Sequence, residues 1–147
     1  MAKVTKGERE FAFSFAVYLP YMKEPLYPNR PDYQKYQGRE DDFQTSVAKY
    51  LDLRGFLWMH CPNGGKRGKV EASRLKGQGV KAGFPDICIL EARQGYYGLM
   101  IELKVGSNVP RPNQLEWAEK LTKRGYKWFW TNSLDEFIEI IEAYFEE

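Results

Sequence analysis

The stretch PDICILEARQGYYGLMIELK, residues 85–104, decides how this chain is read. Asp86–Glu91 and Tyr97–Lys104 are β-type runs, and Gln94-Gly95 between them is a turn signal, so the stretch predicts an antiparallel hairpin. Strand side chains alternate between faces, which puts Leu99, Ile101 and Leu103 on a core face and Met100, Glu102 and Lys104 on the other. A carboxylate beside an ammonium is also what a solvated salt bridge looks like. Asp86 on the paired strand changes that. Two carboxylates converging from adjacent strands repel each other unless one is protonated or a divalent cation lies between them. Such oxygen ligands suit Mg²⁺ or Mn²⁺, which keep several waters and take one or two carboxylates plus phosphate. A lysine beside that cation can orient or deprotonate an attacking water and steady charge developing on phosphate.

Upstream, Phe43, Val47, Tyr50 and Leu51 fall at helical spacing from Glu40, with Gly55 as the stop. Phe56–Cys61 reads as a strand, Pro62–Lys69 as a Gly- and Lys-rich loop, and Val70–Lys76 as either helix or more loop. Gly77, Gly79 and Gly83 break regular structure before the hairpin. Downstream, Pro112 suits the first turn of a helix carrying Leu115, Ala118 and Leu121, ended by Gly125. Tyr126–Thr131 is a short aromatic strand. Ser133 with Glu136 is a capping-box signature opening a last helix with Phe137, Ile138, Ile141 and Phe145 inside. The expected fold is α/β: α-β-(loop)-β-β-α-β-α, a mixed sheet flanked by helices.

The 147 residues are 43% apolar and 29% charged, which suits one domain with its own core and excludes a largely disordered chain. No apolar stretch approaches the roughly 20 residues of a membrane span, and no secretory leader follows the charged Met1–Glu10. Cys61 and Cys88 are expected as two reduced, buried thiols of a cytoplasmic protein. Net charge is only +2, but it is sorted. Arg54–Lys81 holds seven bases (Arg54, Lys66, Arg67, Lys69, Arg74, Lys76, Lys81) against Glu71, whereas six acids and no base follow Asn132. The middle of the chain is therefore a candidate polyanion-facing surface. Residues 1–38 differ again, with eight Phe or Tyr from Phe11 to Tyr36 and prolines at 20, 25, 28 and 31, which argues against a long helix and for an extended or turn-rich aromatic arm.

Around the hairpin stand Glu40 on the first helix, His60-Cys-Pro-Asn63, Gly79-x-x-x-Gly83-x-Pro85-Asp86, Glu102-x-Lys104 and Gln114 on the next helix. In this order the set resembles the VRR-NUC family of the PD-(D/E)xK nuclease superfamily, over about Gly38 to Tyr144. The expected architecture is then a restriction-endonuclease-like core at 39–147 behind an N-terminal arm at 1–38. The resemblance implies that Asp86, Glu102 and the Leu103 carbonyl bind Mg²⁺ or Mn²⁺, with Glu40 reaching the metal directly or through water. Lys104 would position or activate the hydrolytic water, and Gln114 would hold Lys104 or the scissile phosphate. A first-turn acid such as Glu40 also favours the helix dipole without chemistry. His60 and Asn63 would contact phosphate or support the site, and Lys66, Arg67, Lys69, Arg74, Lys76 and Lys81 would contact the DNA backbone. Many relatives carry a Ser capping the Gln helix. Here the stretch reads Arg111-Pro112-Asn113-Gln114, which loses the cap or shifts it to Ser107 or Asn108 and offers Arg111 to DNA.

The implied function is a metal-dependent DNA endonuclease, structure-selective for four-way junctions or other branched DNA. It would act as a homodimer, inside a bacterial host cell if phage-encoded. A chain with no separate DNA-reading domain fits recognition by shape; the aromatic arm and Trp128-Phe129-Trp130 are the candidate dimer surfaces. The alternatives are an inactive nucleic-acid-binding module of the same fold and a restriction-type, sequence-specific nuclease.

Overall fold

The computed structural model describes residues 33–62 and 67–146, so the arm's residues 1–32 and the loop residues 63–66 lie outside it. In chain order the elements are α1 (Glu40–Arg54), β1 (Trp58–His60), α2 (Lys69–Gly77), β2 (Ile87–Ile89), β3 (Leu99–Leu103), α3 (Pro112–Lys123), β4 (Lys127–Thr131) and α4 (Leu134–Phe145). The segment that pattern left open between helix and loop is α2. The hairpin forms as expected. Gln94 and Gly95 both have positive φ, 53° and 83°, as a two-residue type I′ turn requires. Its strands are shorter than the apolar runs, and the Leu90 N–H, which donates to the Leu57 carbonyl at 2.9 Å, carries the pairing of β2 with β1 one residue further.

The sheet order is β1-β2-β3-β4. β1 and β3 pair antiparallel with β2, and β3 pairs parallel with β4. A parallel neighbour needs a crossover, and α3 supplies it. Both faces of the sheet are covered. On one, Ile87, Ile89, Leu99, Ile101 and Leu103 pack with Phe43, Val47 and Leu51 of α1 and Phe137, Ile140, Ile141 and Tyr144 of α4. On the other, Cys88, Met100, Trp128 and Trp130 pack with Leu115, Ala118 and Leu121 of α3. Trp128 and Trp130 are each 6% exposed, which corrects their reading as a dimer surface: α3 already lies on them.

Helix ends follow the residues at hand. Gly55 takes φ 73° past α1, and the Ser133 hydroxyl accepts the Glu136 N–H at 3.4 Å before α4. Neither Ser107 nor Asn108 starts α3. Its N-cap is Arg111, whose N–H donates at 2.8 Å to the Gln114 side-chain oxygen. The glycine-broken approach to β2 is pinned to α3 by the Trp117 indole N–H, which donates to the Ala82 carbonyl at 3.0 Å. Gly83 sits at φ 84°, where a Cβ would lie 2.9 Å from the Asn113 backbone. Gly83→Ala is therefore expected to cost about 2–4 kcal/mol, since strain and collision add. Urea unfolding with an unchanged m-value checks this; a loss under about 0.5 kcal/mol would show that the loop yields freely.

Candidate active site

The Asp86–Glu102 pair follows from the hairpin register. Ile87 faces Ile101 and Cys88 faces Met100, so one residue beyond the ladder Asp86 comes opposite Glu102. With β2 ended, the Leu103 N–H has no strand carbonyl on that side, and Asp86 Oδ2 accepts it at 2.8 Å. The Asp86 carbonyl accepts two donors from the β1 side, the Cys61 N–H at 2.9 Å and His60 Nδ1 at 2.8 Å. A carbonyl can only accept, so His60 carries its proton on Nδ1 when neutral. His60 thus braces the backbone of Asp86 through its ring.

Glu102 is 3% exposed. Its Oε1 accepts from Gln114 Nε2 at 2.6 Å and pairs with Lys104 Nζ at 3.4 Å. The Gln114 oxygen is already taken by the Arg111 N–H, so its amide cannot flip and its NH₂ must face Glu102. Gln114 therefore grips Glu102 and not Lys104. The other oxygen, Oε2, is buried and has no hydrogen-bond partner among the described residues.

Burial, then the nearby Asp86 charge, pushes the Glu102 carboxyl up to about 8, against the opposing pull of Lys104. Burial also raises Asp86, opposed by the Leu103 N–H and reinforced by Glu40, while His60 and Lys104 pull it down. An acceptor held in place with an open lone pair, beside a second carboxylate, fits a hard divalent cation. Among the described residues no group of three or more His, Cys, Asp or Glu is placed to hold a metal ion, so the carboxyl ligands on offer are the Asp86–Glu102 pair.

These groups line a cavity of about 670 Å³ that also takes in Glu40, His60, Leu103 and Arg111. Glu40 lies in the first turn of α1, with Asp41 and Asp42 beside it. The structure does not bring the basic stretch into this cavity. Lys69, Arg74, Lys76 and Lys81 are exposed outside it, and the Arg67 guanidinium donates to the Pro62 carbonyl at 2.8 Å. Asn63 and Lys66 fall outside the described residues. Gln44, Asn108 and Asn113 also line the cavity; from sequence none of them has a role there, and Asn108 is only a possible helix cap. Only Gln44 had a signal, one turn along α1 from Glu40 on the same face.

A model of the VRR-NUC domain matches residues 36–134. A solved structure described as a VRR_NUC domain protein is similar, with 34% identity, a TM-score of 0.63, and coverage of 74% of this chain and 90% of its own. None of the curated proteins matches. Among the described residues no helix is long and apolar enough to cross a membrane.

Proposed function

The chain belongs to the VRR-NUC domain family and carries its nuclease-type fold, and from that premise we propose that it is a divalent-metal-dependent DNA endonuclease. The observation that carries the reading is the buried Glu102 carboxyl, set opposite Asp86 across the hairpin. Binding alone gives no reason to hold two carboxylates where a phosphate must come.

Asp86, Glu102 and the Leu103 carbonyl would hold Mg²⁺ or Mn²⁺, with Glu40 at the rim. When bound, the cation would neutralise charge on the scissile phosphate and acidify a water. Lys104, paired with Glu102 at 3.4 Å, would orient the attacking water and meet the charge that grows on the phosphate. Gln114 keeps Glu102 from rotating as Lys104 does this. Arg111, at the cavity edge, contacts the DNA backbone. Homodimeric assembly and preference for four-way junctions rest on the family resemblance, and the cleavage assay below ranks the junction against the other substrates.

The test is cleavage of end-labelled duplex, single-stranded, flap and four-way-junction DNA with Mg²⁺, Mn²⁺ or EDTA. Metal-dependent cutting is expected, reduced about 10²- to 10³-fold or more in Asp86→Ala and Lys104→Ala. Binding without cutting in every metal would sink the proposal and favour an inactive binding module. Cutting that survives Asp86→Ala would mean the site is misplaced.

A second expectation concerns α2, which buries none of its residues and presents Lys69, Arg74 and Lys76 to solvent. Each phosphate contact adds about 0.9 to the slope of log affinity against log salt. Replacing all three by Ala is expected to flatten that slope by roughly 2–3, read by fluorescence anisotropy of duplex DNA in EDTA. An unchanged slope would remove α2 from the contact surface.

A further inference from the structure

Beneath the carboxylate pair lie the chain's two cysteines, both free thiols. Their Sγ atoms are 3.8 Å apart. Cys61 comes just after β1, is half-buried, and ties its N–H to the Asp86 carbonyl at 2.9 Å. Cys88 stands two residues beyond Asp86 on the same face of β2 and is 4% exposed. Cys61 is thus the more exposed residue of the two, and Asp86 stands next to both, opposite Cys61 across the β1–β2 ladder and two residues before Cys88. A disulfide bond is about 2.05 Å long, so closing the pair would draw the sulfurs together by about 1.7 Å. Cys61 is hydrogen-bonded to Asp86 and Cys88 follows it by two residues, so the share of that contraction taken up by the backbone acts on both sides of Asp86.

We propose that Cys61 and Cys88 are an oxidisable pair, and that bridging them displaces Asp86 and disables the site. With hydrogen peroxide as oxidant, the Cys61 sulfur attacks one peroxide oxygen and the O–O bond breaks. The departing oxygen takes the thiol proton and leaves as water, and Cys61 becomes a sulfenic acid. The Cys88 sulfur then attacks the Cys61 sulfur. The S–S bond forms, the S–OH bond breaks, and the hydroxyl leaves as water with the Cys88 proton. Two electrons pass from the thiols to peroxide, and a reducing dithiol reverses the step. The order of attack follows exposure, since the half-buried sulfur meets the oxidant and the shielded one resolves it.

The experiment uses the full chain, ¹⁵N-labelled, titrated with peroxide and then with dithiothreitol. The expected product is lighter by about 2 Da, with Cys61 and Cys88 peptides linked. The Leu103 amide, which donates to Asp86 Oδ2, is expected to shift on oxidation and to return on reduction. In Cys61→Ser and Cys88→Ser it stays in place under peroxide. Oxidised wild type is expected to lose cleavage at least tenfold, while both variants keep it. Oxygen adducts on unlinked cysteines would overturn the proposal, as would a bridge that leaves the Leu103 amide unmoved. The cleavage arm rests on the nuclease reading; the mass and amide arms do not. A chain that cuts nothing in either state therefore overturns that reading, while bridge and amide still decide this one.

Discussion

Glu102→Gln is expected to stabilise the cation-free protein by roughly 2–4 kcal/mol at pH 9 and to lower cleavage about 10³-fold or more. The folded state holds the Glu102 carboxyl up near 8, from an ordinary 4.5. A carboxyl raised on folding contributes stability that is whole below its unfolded value and lost as pH climbs through its folded one. Wild type therefore loses stability from about pH 4.5 to about pH 8. The shift would amount to about 5 kcal/mol in full, and relaxation around Lys104 reduces it. Glutamine carries no charge, keeps an acceptor for Gln114 Nε2 and Lys104 Nζ, and can offer Asp86 an N–H where Oε2 stands unpartnered. Urea denaturation of both proteins in EDTA checks this, the gap opening with pH and closing by pH 5. A gap that is constant with pH would mean that burial of the charge is not what the mutation relieves.

The site is also expected to release close to one proton when it takes Mg²⁺ or Mn²⁺ at pH 7. A cation needs the carboxylate, and with Glu102 held near 8 most molecules carry the proton there at neutral pH. Affinity should fall about tenfold for each pH unit well below that value, so roughly 50-fold from pH 8 to pH 6. Calorimetry in two buffers of different ionisation enthalpy counts the proton directly. Release near zero at pH 7, with affinity flat over that range, would place the cation away from Glu102. With the cation on Glu102, the stability that the wild-type protein loses as pH rises is recovered when metal is supplied.

Much of this was legible before any coordinates. The hairpin is local, its turn residues announce themselves, and a period of two sets Asp86 opposite Glu102 once the turn is placed. The family motifs named Lys104 and Gln114, and α3 delivers Gln114 to the cavity. What Gln114 grips was not legible, because the choice between Lys104 and Glu102 depends on its amide being fixed by Arg111, a contact that pattern does not encode. The Trp128 and Trp130 reading failed for a related reason. Alternation says which residues share a face, not which helix lies on it. The brace on the loop after Lys104 was also invisible: Gly106 donates to the Tyr36 carbonyl and accepts from Asn132 Nδ2, each at 2.8 Å. Tyr36, Gly106 and Asn132 are joined by contacts far apart in sequence. His60 drew attention as the sole histidine, and its ring on the Asp86 carbonyl is visible only in three dimensions.

The separation of α2 from the sheet bears on how such a chain can change over generations. Both core clusters are built without a single α2 side chain, and the helix bridges a gap between two strands that already pair with each other. Lengthening a surface connection costs only a few tenths of a kcal/mol to about 0.6 for each doubling. Residues 67–81 can therefore drift, lengthen or be exchanged between relatives while folding and the carboxylate pair are left intact. If α2 contacts nucleic acid as proposed, selection on that contact and selection on remaining folded act on different parts of the chain.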